Sequence, residues 1–256
     1  MSTRQYIEGA IGSVTLKHLA QFLVIISCAT AVKLYYSTAS VDQLRWILAP
    51  TTFAVELLTG SRFEFESHAG YMSSDHSFLI AASCAGVNFL ITAFLMLSLR
   101  TLCRGRAKTI DWRLIPTTAL FAYLATLVAN TVRISIALLL RKMSFEVSLL
   151  NPNQLHRFEG IFIYFGFLLL LFVIGERVSE RYSSENLSGS ARRPGMFRGS
   201  LFPLLVYYVI TLGIPLANGA SREGTDFREH ALFVLVIPLV LLLPIVILLR
   251  RTWRAL

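Results

Sequence analysis

The sequence predicts an all-α integral membrane protein, a multi-pass helical bundle of about six transmembrane helices with an interfacial segment on its outer face. Three observations predict this class. The 256 residues are 55% hydrophobic and 15% charged, with a mean hydropathy of +0.61, whereas an ordinary soluble domain carries about 25% charged residues. The apolar residues gather into windows of roughly spanning length: Leu19 to Tyr36, Ser83 to Leu99, Leu114 to Ile136, Phe158 to Gly175, Leu201 to Leu216 and Ala231 to Leu249. The basic residues concentrate between alternate windows, as cytoplasmic loops do. This composition excludes a soluble enzyme, a disordered chain and a disulfide scaffold.

Taken in chain order, the first window ends in Lys33, Tyr35 and Tyr36, which mark a membrane interface. No small-residue cleavage site follows it, so no cleavable signal peptide is expected. Leu44 to Gly60 is apolar but short, and it contains Pro50 and Glu56. Counting it as a span would invert every later loop, so it reads as an interfacial or re-entrant segment on the outer face. Phe63 to Ile80 begins with apolar–polar alternation, which suits a short strand or hairpin on that surface.

Beyond the second window lie Arg100, Arg104, Arg106, Lys108 and Arg113, and beyond the fourth Arg177, Arg181, Arg192, Arg193 and Arg198. These loops set the inner side and place both termini in the cytoplasm, although Arg141 and Lys142 fall outside. The net charge of +9 therefore goes to topology and lipid contact, with no nucleic-acid partner implied. Ser183 to Gly199 is polar, rich in Ser, Gly and Arg, and reads as a linker. The expected organisation is a membrane core over 1–182, a cytoplasmic linker over 183–200 and a C-terminal helix pair over 201–256.

Chemistry is to be sought where polar residues are costly. Arg133 lies near the outer end of the third window, with Asn130 three residues earlier on the same helical face. It reads either as an anchor reaching lipid phosphates or as part of an inward polar site, and Asn130 favours the second. Cys84 falls at the outer start of the second window, where a helix N-terminus stabilises a thiolate. Gly86 allows close backbone approach and Asn88 lies one turn on. A lone membrane cysteine is also an ordinary packing residue, as Cys28 and Cys103 illustrate. Spread over different depths, the three cysteines form neither a disulfide framework nor a zinc site.

His156 precedes the fourth window and is the natural proton carrier, with His68 and His76 as outer-side alternatives and Asp75 available to orient His76. Cys84, Arg133 and His156 all meet the outer surface. A thiol, a fixed cation and a base at one depth form a set suited to covalent acyl transfer. No metal and no cofactor are required.

At these residues the sequence resembles the exosortase/archaeosortase family of membrane cysteine transpeptidases and proteases. The family's marks appear as Cys84-Ala85-Gly86, Asn130-Thr131-Val132-Arg133, and His156 with Gly160. The likeness covers about residues 44 to 175, and SCAGVNF with HRFEGIFIYF looks most like the short type called exosortase K.

The resemblance implies a peptidase or transpeptidase of the cell membrane, its active site facing the periplasm or cell exterior. Its partners would be exported proteins ending in a short motif such as Pro-Glu-Pro, a transmembrane helix and a basic tail. Cys84 would be the nucleophile, His156 the acid–base and Arg133 the oxyanion partner, with Asn130, Asn88 and Gly86 in support. The final helix pair matches no family motif. The competing expectation is a transport or lipid- and anion-binding protein that uses Arg133. Inverted repeats, which transporters often carry, are not evident, and neither Gly-x-Ser-x-Gly nor His-Glu-x-x-His occurs.

Overall fold

The computed structural model describes the backbone of residues 3–104, 112–142, 152–186, 196–217 and 225–254; within these, side chains are described over 18–102, 112–141, 154, 157–178, 201–216 and 228–243. Helix α1 covers Thr3–Thr38, α2 Arg45–Thr59, α3 Val87–Arg104, α4 Leu114–Lys142 and α5 Pro152–Asn186. Helix α6 (Met196–Tyr208) continues through a π-helical turn at Val209–Gly213 into the short α7 (Ile214–Ala217), and α8 covers Thr225–Arg254. Four segments are long and apolar enough to cross a membrane: His18–Thr38, Ala82–Leu102, Leu114–Arg141 and Arg157–Val178. Leu201–Leu216 is a shorter apolar helix. The last window, Ala231 to Leu249, falls within α8, and its side chains beyond 243 lie outside the described residues.

Helix α4 shows why this packing suits a membrane. Leu120, Phe121, Leu124 and Val128 turn outward, each about half exposed or more, while Ala122, Thr126, Ala129, Asn130 and Arg133 face inward. This apolar-out, polar-in pattern puts hydrocarbon against lipid and reserves the interior for polar contacts. Helices α3 and α4 are in close contact, and the Ser98 and Thr118 hydroxyls meet between them at 2.7 Å. Buried alanines at 93, 122 and 129 let backbones approach. Helix α5 packs on α3, α4 and α8, and towards its C-terminal half Glu176 pairs with Arg100 of α3, whose guanidinium sits 4.0 Å over the Phe172 ring.

The strand expected over 63–80 is a three-stranded antiparallel sheet in the order β1 (Phe63–Glu66), β2 (Gly70–Ser73), β3 (Leu79–Ile80). Phe65 pairs with Tyr71, and Tyr71 with Ile80. The architecture is therefore helical with a small sheet, not purely α. The alternation in FEFE exposes every second residue and leaves the others half-buried.

Helix α2 buries Ile47, Leu48, Thr51, Thr52 and Val55. At its start the Trp46 ring stacks on Tyr123 of α4 at 5.8 Å, and just past its end Ser61 and Arg62 share a cavity wall with Leu138 and Arg141. From 123 to 138 is about 22 Å of helix, which is also the length of α2 at about 1.5 Å per residue. Helix α2 thus stands beside α4 instead of lying across its end. Its other face presents Phe53, Leu57 and Leu58 outward.

Candidate active site

Cys84 lies in a single 3-10 turn, Ala82–Ala85, between strand β3 and helix α3. The sequence reading begins a helix at this cysteine; the chain instead breaks at Gly86, which adopts a left-handed conformation (φ 70°), and α3 starts at Val87. Only glycine meets both demands at position 86. A methyl group there would sit 3.2 Å from Asn130 Cγ and 3.3 Å from both Thr126 Cγ2 and Tyr164 Oη, on a backbone that L-residues seldom adopt.

That close approach brings α3, α4 and α5 together around the cysteine. Asn130, fully buried on α4, donates from Nδ2 to the Cys84 carbonyl at 2.5 Å. Tyr164 of α5 donates its hydroxyl to Asn130 Oδ1 at 2.8 Å, and Arg133 Nη1 donates to the same hydroxyl at 2.9 Å. The Arg133 guanidinium lies 5.3 Å from the Tyr164 ring centre, and that ring stacks on Phe89 at 5.1 Å. Helices α4 and α5 therefore contribute to one hydrogen-bonded chain running from Arg133 to the backbone of Cys84 in the 82–85 turn. Arg133 is also within electrostatic reach of the Cys84 thiol and of the buried Glu159 carboxyl. Gly160 passes close by, since a methyl group there would rest 3.4 Å from Arg133 Nε.

Cys84 opens towards the sheet. It lines a cavity of about 390 Å3 with Met72, His76, Ser77, Phe78, Leu79 and Arg141. The 73–78 turn that forms one wall is tightly tied: Ser73 Oγ and Ser77 Oγ donate to the Asp75 carboxylate at 2.6 and 2.8 Å, as does the Ser77 N–H at 3.1 Å. These donors hold the Asp75 carboxyl at about 2, below the ordinary carboxylate range. Asp75, which the sequence offers as a partner to orient His76, instead ties the turn through Ser73 and Ser77. His76 is left exposed with a positive φ of 52°.

Of the residues singled out from sequence, Cys84, Gly86, Asn130 and Arg133 converge. Asn88 does not join them: it accepts from Lys33 Nζ of α1 at 2.7 Å. His156 lies on α5, one turn before Gly160 and two before Tyr164, and its side chain lies outside the described residues. Sequence reasoning missed Tyr164, Glu159 and Tyr36, whose hydroxyl lies 3.5 Å from the Ala82 carbonyl. The signal for Tyr164 was available, because 156, 160 and 164 share one helical face. Among the described residues, no group of three or more His, Cys, Asp or Glu side chains is placed to hold a metal ion.

In comparisons with known proteins, no family model matches the chain, and no curated protein or solved structure does so either.

Proposed function

We propose that the protein is a membrane-embedded cysteine protease or transpeptidase of the exosortase/archaeosortase kind. In this reading it cleaves C-terminal sorting signals of exported proteins at the outer face of the cytoplasmic membrane. Six spans, both termini in the cytoplasm and the 73–78 turn outside belong to the same reading. The observation that carries it is the hydrogen-bonded chain Arg133–Tyr164–Asn130–Cys84, set beside a cavity that Cys84 lines. A packing cysteine has no need of a buried cation held to its own turn.

The reaction follows from these groups. Cys84 Sγ attacks the substrate carbonyl as thiolate, its proton passing to His156, and the carbonyl oxygen becomes an oxyanion facing Arg133. The tetrahedral adduct collapses to a thioester as the C–N bond breaks, and the histidine returns its proton to the leaving amine. Water or an amine then attacks the thioester and releases the thiol.

His76 offers a second reading for the proton carrier, favoured by its presence in the wall of the Cys84 cavity. A transport or anion-binding role for Arg133 is the alternative of another class. It gives no part to the cysteine beside the cation.

The test is processing of an exported protein with a hydrophobic C-terminal helix and basic tail, followed by gel mobility. Cys84→Ala should abolish it, and normal processing in that variant sinks the protease reading. Loss in His156→Ala with retention in His76→Ala assigns His156 as base; the reverse pattern assigns His76.

A further inference from the structure

We infer that Tyr164 is a positioning residue that acts through Arg133, fixing where the guanidinium sits against the Cys84 thiol. The inference rests on the proposed function only in taking Cys84 as the reactive group. Tyr164 bonds both sides of the site: its oxygen accepts from Arg133 Nη1, and its proton goes to Asn130 Oδ1, whose amide holds the Cys84 carbonyl.

The ring also stacks on Phe89 of α3 at 5.1 Å, and the guanidinium lies 5.3 Å from its centre. The place and direction of the hydroxyl are set by its own two hydrogen bonds, to Arg133 Nη1 and Asn130 Oδ1. Because the Arg133 charge sharpens the hydroxyl as a donor, the bonds along the chain reinforce one another. Arginine has several rotatable bonds on its stem, and a hydroxyl anchored on a rigid ring limits where its fork can go. The groove over Gly86 is what lets the hydroxyl in, since that position leaves only 3.3 Å between a notional methyl and Tyr164 Oη.

The consequence is electrostatic. A guanidinium held near the thiol favours the thiolate, and one released from Tyr164 favours it less. Among the described residues, the other ionisable groups near Cys84 include Tyr36 from α1, His76 in the 73–78 turn and Arg141 on the cavity wall, while Glu159 faces Arg133; His156 is the proton carrier already proposed. Tyr164→Phe alters none of these. It keeps the ring and its stack and deletes both hydroxyl bonds.

The experiment uses the full chain in lipid nanodiscs with Cys28→Ala and Cys103→Ala, so that Cys84 is the sole thiol. The rate of its alkylation by iodoacetamide is followed against pH. Tyr164→Phe should move the midpoint up by about one pH unit, with an approximately tenfold slower reaction below it. Arg133→Gln should move it in the same direction, and adding Tyr164→Phe to Arg133→Gln should produce no further shift.

An unmoved midpoint in Tyr164→Phe overturns the inference, as does a shift that persists in the Arg133→Gln background. Phe89→Leu removes packing and keeps both hydroxyl bonds, so it should lower thermal stability and leave the midpoint in place. A midpoint displaced by Phe89→Leu would mean that packing, not the hydroxyl, sets the thiol, and this result overturns the inference even if Tyr164→Phe does not fold. Alkylation needs no substrate, so normal processing in Cys84→Ala would sink the protease reading without touching these outcomes.

Discussion

The Tyr123 hydroxyl on α4 donates to the Trp46 carbonyl on α2 at 2.9 Å. That carbonyl is the one Pro50 leaves without its helical donor, because proline has no N–H to offer the residue four positions back. In an apolar setting an orphaned carbonyl is costly, and a side chain from a neighbouring helix satisfies it here. The bond and the Trp46–Tyr123 stack together hold α2 upright beside α4.

Tyr123→Phe should therefore destabilise the protein by about 1–2 kcal/mol, the cost of leaving a carbonyl unpaired. Pro50→Ala restores the helical donor, so in that background the same change should cost markedly less. Reversible unfolding in mixed micelles gives both values. An equal cost of Tyr123→Phe in the two backgrounds would show that the hydroxyl does not replace the missing N–H.

How much was legible in the sequence follows from such contacts. Asn130 and Arg133 were legible because three-residue spacing puts both on one helical face, and Cys84 because its neighbours are small. The upright stance of α2 was not. Pro50, Glu56 and short length argue against a further span, and the partner of the Trp46 carbonyl, Tyr123, lies 77 residues along the chain, while the nearer Phe63 N–H donates to Glu56 Oε1 at 2.7 Å. For Tyr164 the shared face of 156, 160 and 164 was a signal, but not one that says what the hydroxyl meets. A tyrosine in an apolar helix reads as an interfacial ring until the residues facing it are known. In sequence Arg100 looks like a loop cation that sets topology, and its pairing with Glu176 across α3 and α5 depends on a register no local pattern encodes.

Gly86→Ala tests the convergence of the three helices. A left-handed backbone costs an alanine about 1–2 kcal/mol, and its methyl must also displace Asn130, Thr126 or Tyr164 from contacts of 3.2–3.3 Å. The expected result is a lower melting temperature together with at least a tenfold loss of processing. Gly160→Ala is the contrasting variant: a methyl there meets Arg133 Nε at an ordinary 3.4 Å, and most of the activity should remain. Equal tolerance of both substitutions would contradict the packing described around Gly86.

Arg133→Lys separates charge from shape. Lysine keeps a cation but has no planar fork, so it cannot hold Tyr164 and, in the proposed reaction, a substrate oxyanion with fixed geometry. Losing one oxyanion donor costs about 3 kcal/mol in the barrier, or roughly a hundredfold in rate. Processing should fall by about that factor while the melting temperature changes little. Wild-type turnover by the lysine variant would reduce Arg133 to a simple counter-charge.

The 73–78 turn makes a prediction in pH. Asp75 holds it through Ser73 and Ser77, and its carboxyl sits at about 2 against an ordinary value of 3.8. A carboxylate whose folded value is depressed stabilises the fold fully above its unfolded value, and that contribution is lost as pH falls through the folded one. The turn should thus stay intact down to about pH 4 and loosen between about 4 and 2. The carboxyl 13C resonance of Asp75 reports the midpoint directly. Ser73→Ala removes the donor at 2.6 Å and one of the two hydroxyls on this carboxylate, so it should move that midpoint back towards 3.8. Because the turn also carries His76 and walls the Cys84 cavity, Ser73→Ala should change access to the thiol as well. A wild-type midpoint near 3.8 would mean that the serines do not hold the carboxylate, and the wall beside Cys84 would then need another source of order.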